Sequence, residues 1–389
     1  MKRKILILPS WYPSDDSPVL GIFVQDQALA LSREYDVAIM VPGLVSWRQV
    51  IKGKVGPKSQ VEQRMGLKVF RQHVLVPIPR VPMLAYSSYV RAAKLGFEAV
   101  LTTWGKPDII HAHVVLPGGW AAIRLGSLYS TPVVLTKHSG PFSMHLGTEY
   151  KRSLVRQTLK RANRVIAVSP ALTEQVLAFQ NGIEITVVGE LVRSDFFVPS
   201  SHEKRGSSPI TRFLCIALLT EGKGLVYLLE AIRLLVKCGI ISFEVVVGGD
   251  GPERARLERT TQSLGLSNWC HFLPLLNRSQ VQYWMQQCDV FVLPSLGETF
   301  GIVLGEAMAC GKPVIATRCG GPEFVVTPDT GILVDIANSE ALADAMSDFI
   351  TARLKFDPQV VRRNVVERFG EEAFLRNTST LYEQVWSQI

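Results

Sequence analysis

The sequence predicts an α/β protein of two consecutive parallel-sheet domains, and three observations predict it. Short apolar runs alternate with segments of helical period along the whole chain, as crossover helices on a parallel sheet require. The 389 residues are long for one such domain and ample for two. Hydrophobic residues make up 47 %, enough to fill two cores, and a polar stretch rich in Gly, Ser and Pro interrupts the pattern once, at 199–209.

In chain order, the first half offers strand candidates at 5–8, 37–41, 69–74, 109–113, 133–136, 165–168 and 185–188. The second half offers 212–217, 243–248, 290–294, 314–317 and 331–334. The expected division is an N-terminal domain over 1–198, a linker over 199–210 and a C-terminal domain over 211–370. Residues 371–389 read as an amphipathic helix with Phe374, Leu381, Val385 and Trp386 on its apolar side. Parallel sheets of this kind bind ligands beyond the carboxyl ends of their strands.

Composition bounds the partners. The opening Met1-Lys2-Arg3-Lys4 and Ile5-Leu6-Ile7-Leu8 mimic a signal peptide, but the apolar body stops at Pro9. That is too short for a signal core and reads as a first buried strand, so the expected location is the cytoplasm. No run reaches the roughly 18 apolar residues of a membrane span. Cysteines 215, 238, 270, 288, 310 and 319 contain no C-x-x-C pair and read as reduced core thiols. Residues 1–190 hold 23 Lys/Arg against 12 Asp/Glu, a net +11, whereas the remainder carries 19 against 22, a net −3. A basic N-terminal half suits phosphate-bearing acceptors or an anionic membrane face; no nucleic-acid recognition motif is present.

The segment richest in chemistry runs from Asp289 through Pro294, Glu298, Gly301 and Glu306 to Gly311 and Pro313. It parses as strand, polar loop, short helix and strand, with Gly311 and Pro313 stopping the helix. The helix N-terminus near Gly301, Ile302 and Val303 presents free amides and a positive dipole end, a ready phosphate site. Glu298 and Glu306 flank that position, and carboxylates accept hydrogen bonds from hydroxyl pairs. The plainer alternative makes Glu298 a helix cap and Glu306 a solvated side chain; spacing alone leaves both open.

These residues resemble the E-x7-E signature of the retaining GT-B glycosyltransferases, in particular the large family 4 (glycosyl transferases group 1). Val246-Val-Gly-Gly-Asp-Gly-Pro252 resembles the V-G-x-G-P loop of that family. Gly320-Gly-Pro-Glu323 and Thr330-Gly-Ile-Leu-Val334 resemble its G-G-x-E and T-G-x-L-V segments. The resemblance runs over nearly the whole chain. It implies two Rossmann-like domains facing across a cleft, with the C-terminal helix crossing back to the N-terminal domain. It also implies a UDP- or GDP-sugar as donor co-substrate, with no cofactor or metal required; no Asp-x-Asp triplet appears. In such enzymes the residue matching Glu298 contacts the transferred sugar and that matching Glu306 holds the ribose. Backbone around Thr299, Phe300, Gly301, Ile302 and Val303 holds the distal phosphate.

Leu218-Leu-Thr-Glu-Gly-Lys223-Gly224 resembles the family's R-x4-K-G segment, whose two cations grip the pyrophosphate. Lys223 matches, but Leu218 replaces the arginine, so one charge-assisted contact is missing. Gly21 follows the first strand and resembles the family's first glycine loop, where backbone approaches the donor or acceptor closely. Thr136-Lys137-His138-Ser139-Gly140 resembles the T-x-H turn that lies beside the donor phosphates, giving His138 a hydrogen bond to the departing phosphate and Ser139 a place near the acceptor. His111 and His113 resemble an H-A-H turn near the acceptor, although a histidine at a strand end also serves packing. Zinc is not expected, since no Cys, Asp or Glu completes a ligand set. Glu190 and Arg193 stand where relatives carry Asn and Asp. They either pair with each other or reshape the acceptor pocket.

Together these features imply a hexosyltransferase that retains anomeric configuration. Its acceptor is a saccharide or a lipid-linked saccharide, by family habit. Trp47, Arg48, Lys52, Lys54 and Lys58 form an aromatic, cationic stretch that suits anionic lipid at the inner face of the plasma membrane or a lipid pyrophosphate acceptor; plain surface charge for solubility is the alternative. The alternative is a non-catalytic relative that binds a nucleotide-sugar, for which Leu218, Glu190 and Arg193 speak.

Overall fold

The computed structural model describes residues 2–15, 17, 19–52, 58–76, 78, 81–138, 146–200 and 210–388. The chain divides into two compact units. One comprises Met1–Val168, Leu172–Val188 and Leu375–Ile389, and the other Ser169–Ala171 and Gly189–Phe374.

The first unit opens with β1 (Lys4–Pro9), α1 (Ile22–Leu31), β2 (Asp36–Ser46) and the short α2 (Trp47–Ile51). There follow β3 (Lys58–Arg64), β4 (Leu67–Val76), α3 (Pro82–Thr103), β5 (Ile109–His113) and α4 (Trp120–Tyr129). The sequence continues with β6 (Val133–Lys137), α5 (Glu149–Arg161), β7 (Arg164–Ala167), α6 (Pro170–Phe179) and β8 (Ile185–Val187). The eight strands form one sheet in the order β3-β4-β2-β1-β5-β6-β7-β8. Every pair is parallel except β3 with β4. Ile5, Leu6, Ile7 and Leu8 are fully buried at the centre of this sheet. A strand covered by helices on both faces has no solvent side, which is why it reads as an unbroken apolar run.

The second unit contains β9 (Thr211–Ile216), α7 (Leu225–Lys237), β10 (Phe243–Gly248), α8 (Arg254–Ser263) and β11 (Cys270–Phe272). Next come α9 (Arg278–Gln287), β12 (Val290–Leu293), α10 (Ile302–Ala309), β13 (Val314–Thr317), α11 (Pro322–Val325) and β14 (Gly331–Val334). Three helices close the chain, α12 (Ser339–Ile350), α13 (Pro358–Phe369) and α14 (Glu371–Trp386). Six parallel strands order as β11-β10-β9-β12-β13-β14. Phe213, Leu228, Ile232, Val245, Val292 and Met346 lie in its core. Both units are therefore Rossmann-like α/β domains.

Two strands escaped the periodicity. β3 carries one apolar residue, Val61, because it is an antiparallel edge strand with exposed side chains. β11 has only three residues, too few for a pattern. The packing also places a boundary elsewhere than residue 198. Residues from Gly189 onward belong to the second unit. There Arg362 donates to the carbonyls of Ser194 (2.9 Å) and Phe197 (3.0 Å), and Gln286 donates to that of Val198 (2.9 Å). Hydrogen bonds from distant helices, which local sequence does not reveal, decide this assignment. Most of the expected linker, 201–209, lies outside the described residues. The C-terminal residues from Leu375 onward group with the first unit.

Cys215, Cys270, Cys288 and Cys310 are buried, and burial raises their thiols to about 12. Cys238 is exposed. No helix among the described residues is long and apolar enough to cross a membrane.

Candidate functional site

In the second unit the chemistry-bearing residues gather where β9 and β12 end. The two strands are neighbours in the sheet, so their carboxyl-terminal loops emerge side by side. The loop after β9 forms a tight turn over Glu221–Lys223, closed by Gly224 at φ 62°. A Cβ on Gly224 would lie 2.0 Å from the Pro294 carbonyl oxygen, so only glycine lets this turn press against the loop after β12. The amide of Leu296 donates to the carbonyl of Gly222 (2.9 Å) and locks the two loops together.

That contact carries Lys223 to Glu298. The Nζ of Lys223 lies 2.5 Å from Oε1 of Glu298, with side chains 26 % and 13 % exposed. The Ser295 hydroxyl donates to the same oxygen at 2.7 Å. Ser295 is itself buried, and its carbonyl accepts from the Thr317 hydroxyl on β13. From the other side, the amide of Gly321 donates to the Glu298 carbonyl (2.9 Å). Glu298 is thus held by three elements, and Ser295 is a contributor the sequence reading missed. Its position directly after Pro294, inside the motif, was the available signal.

Gly301 caps α10, so the Ile302 and Val303 amides open the helix without intrahelical acceptors. The Phe300 ring is buried against Phe324 and Phe369, with centroids 6.3 and 5.0 Å away. Only the backbone of Phe300 is therefore offered to a ligand, and the ring anchors the loop. Thr299, Ile302, Val303 and Glu306 are half-buried at the start of the same helix. Leu218 is 63 % exposed, an aliphatic side chain largely in solvent. The loop after β10 is tied back by Arg254, which donates to the carbonyls of Gly249 (2.9 Å) and Leu273 (2.7 Å). Glu190 is buried in this unit, and Arg193 forms a two-pronged pair with Asp195, both contacts 2.7 Å. The guanidinium lowers the Asp195 carboxyl below its ordinary range.

In the first unit, β5 and β6 are adjacent and place His111, His113 and His138 in one buried column. His113 stacks on His111 at 4.4 Å and on His138 at 5.0 Å. Nδ1 of His113 meets Nε2 of His138 at 2.7 Å. Nε2 of His113 is buried with no hydrogen-bond partner among the described residues. An orphaned N–H is costlier than an orphaned lone pair, so the neutral His113 carries its proton on Nδ1 and donates to His138. His113, expected to contact the acceptor, is fully buried and turned to His138 instead.

His111 bridges the Tyr382 hydroxyl (2.6 Å) and the Thr136 hydroxyl (2.7 Å). Burial, then the charge of His138, lowers His111 to about 3, and burial pushes His113 well below its ordinary value. Both rings are neutral near pH 7. Tyr382 comes from α14, far along the chain, and no local signal announced it. The Phe23 ring of α1 packs on His138 at 4.8 Å. Gly21, which caps α1 at φ 74°, brings its Cα against the Trp11 backbone, where a Cβ would lie 2.4 Å from the carbonyl oxygen. Lys137 is fully buried, and desolvation lowers it to about 7. Ser139 lies outside the described residues.

Comparison with known proteins defines the class. Residues 24–192 match the model of Glycosyltransferase Family 4, and residues 199–372 match that of Glycosyl transferases group 1. The protein belongs to the glycosyltransferases of GT-B fold and family 4 type. One relative is the "Putative teichuronic acid biosynthesis glycosyltransferase TuaC" of Bacillus subtilis (strain 168), 27 % identical over 367 residues and 89 % of each chain. Another is the D-inositol 3-phosphate glycosyltransferase of Paenarthrobacter aurescens, 28 % identical over 63 % of this chain and 64 % of that one. Among solved structures, the fold is shared with sucrose-phosphate synthase of Thermosynechococcus elongatus (TM-score 0.77, 22 % identity, 100 % of both chains). It is also shared with Anabaena HepE in complex with UDP and glucose (TM-score 0.71, 18 % identity, 98 % of this chain and 99 % of that one).

Proposed function

We propose that this glycosyltransferase retains anomeric configuration, moving a hexose or hexosamine from a UDP- or GDP-sugar to a saccharide or lipid-linked saccharide. Its product is a cell-surface polysaccharide or lipopolysaccharide, made at the cytoplasmic face of an anionic membrane. The observation that carries the donor half is the Lys223–Glu298 pair beside the opening of α10. An ammonium and two helix amides suit a diphosphate, and the carboxylates of Glu298 and Glu306 suit sugar and ribose hydroxyls. The relatives support the acceptor class. Their names refer to teichuronic acid and to an inositol phosphate, and acidic or phosphorylated acceptors fit the basic N-terminal half.

In the proposed reaction the bond from the anomeric carbon to the diphosphate breaks while the acceptor oxygen bonds on the same face. The acceptor proton passes to a departing phosphate oxygen. The protein contributes position and charge: Lys223 and the amides of Gly301, Ile302 and Val303 on the diphosphate, and His138 donating to it. With Nε2 occupied by His113, His138 carries its own proton on Nδ1. His113 then acts as a positioning residue.

A second reading, a nucleotide-sugar binder without turnover, is favoured by Leu218 in the place of an arginine. Calorimetric titration of UDP, GDP, ADP and dTDP into the wild type and Glu306→Ala, followed by transfer assays, separates the two. Binding of one nucleotide that weakens in Glu306→Ala, with turnover, supports the enzyme. Binding without turnover on any matched acceptor supports the binder, and no binding at all removes the donor site.

A further inference from the structure

Two buried polar atoms of the first unit have no hydrogen-bond partner among the described residues, Nε2 of His113 on β5 and Oγ1 of Thr378 on α14. The two residues are 0 % and 1 % exposed. At that depth an unmet donor or acceptor costs more than an ordinary hydrogen bond returns, so each atom needs a partner. A helical threonine commonly returns its hydroxyl to the carbonyl one turn back, as Thr380 does to Arg376 (2.8 Å) and Thr158 to Leu154 (2.8 Å). The Thr378 hydroxyl makes no such bond and is left for a neighbour outside its own helix.

The run of α14 over the sheet identifies that neighbour. The Arg3 guanidinium, just before β1 begins, lies 3.9 Å from the centre of the Trp386 ring. One turn earlier in the helix, the Tyr382 hydroxyl reaches His111, which is paired with Ile7 toward the far end of β1. The helix therefore runs antiparallel to the strands, and its next turn carries Thr378 on toward Pro9 and His113, which pair with each other. Four helical residues advance about 6 Å and two strand residues about 6.6 Å, so the two steps keep pace. Both steps also preserve the face, so Thr378 stands to His113 as Tyr382 stands to His111. Nδ1 of His113 is already bonded to His138 at 2.7 Å, which leaves Nε2 to be answered from the helix. Neither orphan atom touches the other, and a single buried water bridges groups of this kind.

We propose that Thr378 is a positioning residue for sugar transfer: its hydroxyl donates to one buried water, and that water donates to Nε2 of His113. A donor at Nε2 holds the His113 proton on Nδ1, where it is given to Nε2 of His138, and so leaves the His138 proton on Nδ1 for the diphosphate. The inference rests on the role proposed above for His138, but its first test does not. That test is long-range proton–nitrogen NMR of the full chain carrying isotope-labelled histidine, with His113→Gln assigning the His113 ring. Expected is a ring protonated on Nδ1, with the Nε2 resonance of a nitrogen that accepts a hydrogen bond. Thr378→Val removes the hydroxyl at nearly the same shape and moves that resonance to the position of an unbonded ring nitrogen, whereas Thr378→Ser leaves it in place. A cooperative urea transition shows that each variant is folded. With UDP-glucose or GDP-mannose as the donor probe, Thr378→Val lowers kcat about three- to tenfold at unchanged KM, and Thr378→Ser restores it. A wild-type Nε2 resonance already at the unbonded position, which needs no variant to read, overturns the proposal, as does a ring protonated on Nε2. A folded Thr378→Val with the wild-type resonance overturns it too, and a shifted resonance with kcat unchanged removes the positioning role. Absence of nucleotide binding by the wild type refutes the donor reading instead, and the resonance of His113 then decides the Thr378 contact by itself.

Discussion

The Lys223–Glu298 pair invites a test in which two substitutions push binding in opposite directions. Oε1 of Glu298 accepts from both Lys223 at 2.5 Å and the Ser295 hydroxyl at 2.7 Å. Both charged side chains are less than a third exposed, so the pair lies between two measured limits. Breaking an exposed pair costs about 0–1 kcal/mol, and breaking a fully buried one about 3–5 kcal/mol. Lys223→Met is therefore expected to cost about 1–2 kcal/mol of stability, part of the loss being softened by Ser295. In a double-mutant cycle with Glu298→Gln, urea unfolding is expected to show about 1 kcal/mol of coupling. Nucleotide binding gives the sharper readout. Lys223→Met removes a charge-assisted contact of about 1.5–3 kcal/mol, so nucleoside diphosphate affinity falls by about ten- to a hundredfold. Glu298→Gln frees the ammonium for phosphate, so nucleoside diphosphate binds at least as tightly as to wild type while sugar transfer slows. If Glu298→Gln weakens nucleotide binding as much as Lys223→Met does, Glu298 is a structural support for the phosphate site and the assignment to the sugar is refuted.

Other outcomes follow from the same geometry. Leu218→Arg restores a guanidinium at an exposed position and is expected to tighten nucleoside diphosphate binding by about tenfold; calorimetry showing no gain would mean the diphosphate does not pass this residue. Gly224→Ala must hold φ 62° and seat a Cβ 2.0 Å from the Pro294 oxygen, at a cost of about 2–4 kcal/mol read from the urea midpoint. His113→Phe is expected to lower turnover about tenfold or more with nucleotide affinity unchanged, and His113→Gln, which keeps an N–H, to recover part of it. His111 and His113 have folded pKa values below the unfolded value near 6.5, so the unfolded chain binds the extra protons. The stability they confer is complete above pH 6.5 and drains away as pH falls toward about 3 for His111. Unfolding free energies across this window check the sign, with a weaker acid dependence expected in His111→Asn.

Much of the fold was legible because it is written in burial. Strands such as β1 and β12 are covered on both faces and can only be apolar, whereas the polar edge strand β3 leaves no such trace. The candidate donor residues could be singled out because Lys223, Glu298 and Gly301 sit in short turns, and Glu306 in the helix that Gly301 opens, whose glycines and prolines mark strand and helix ends. The boundary at Val188 was not, since Arg362 and Gln286 that draw residues 194–198 into the second unit lie far along the chain.

The sequence by itself determined the alternation of strands and helices, the residues of the Glu298 and Lys223 loops, and the basic excess of residues 1–190. Each is local, set by periodicity, turn chemistry or composition. Only the tertiary structure decided which of these meet. Adjacency of β9 and β12 turns Lys223 and Glu298 into an ion pair, and adjacency of β5 and β6 turns His113 from a candidate acceptor contact into the partner of His138. Tyr382 reaches His111 from the last helix because its buried hydroxyl needs a polar partner, and His111, bonded on its other nitrogen to Thr136, supplies one.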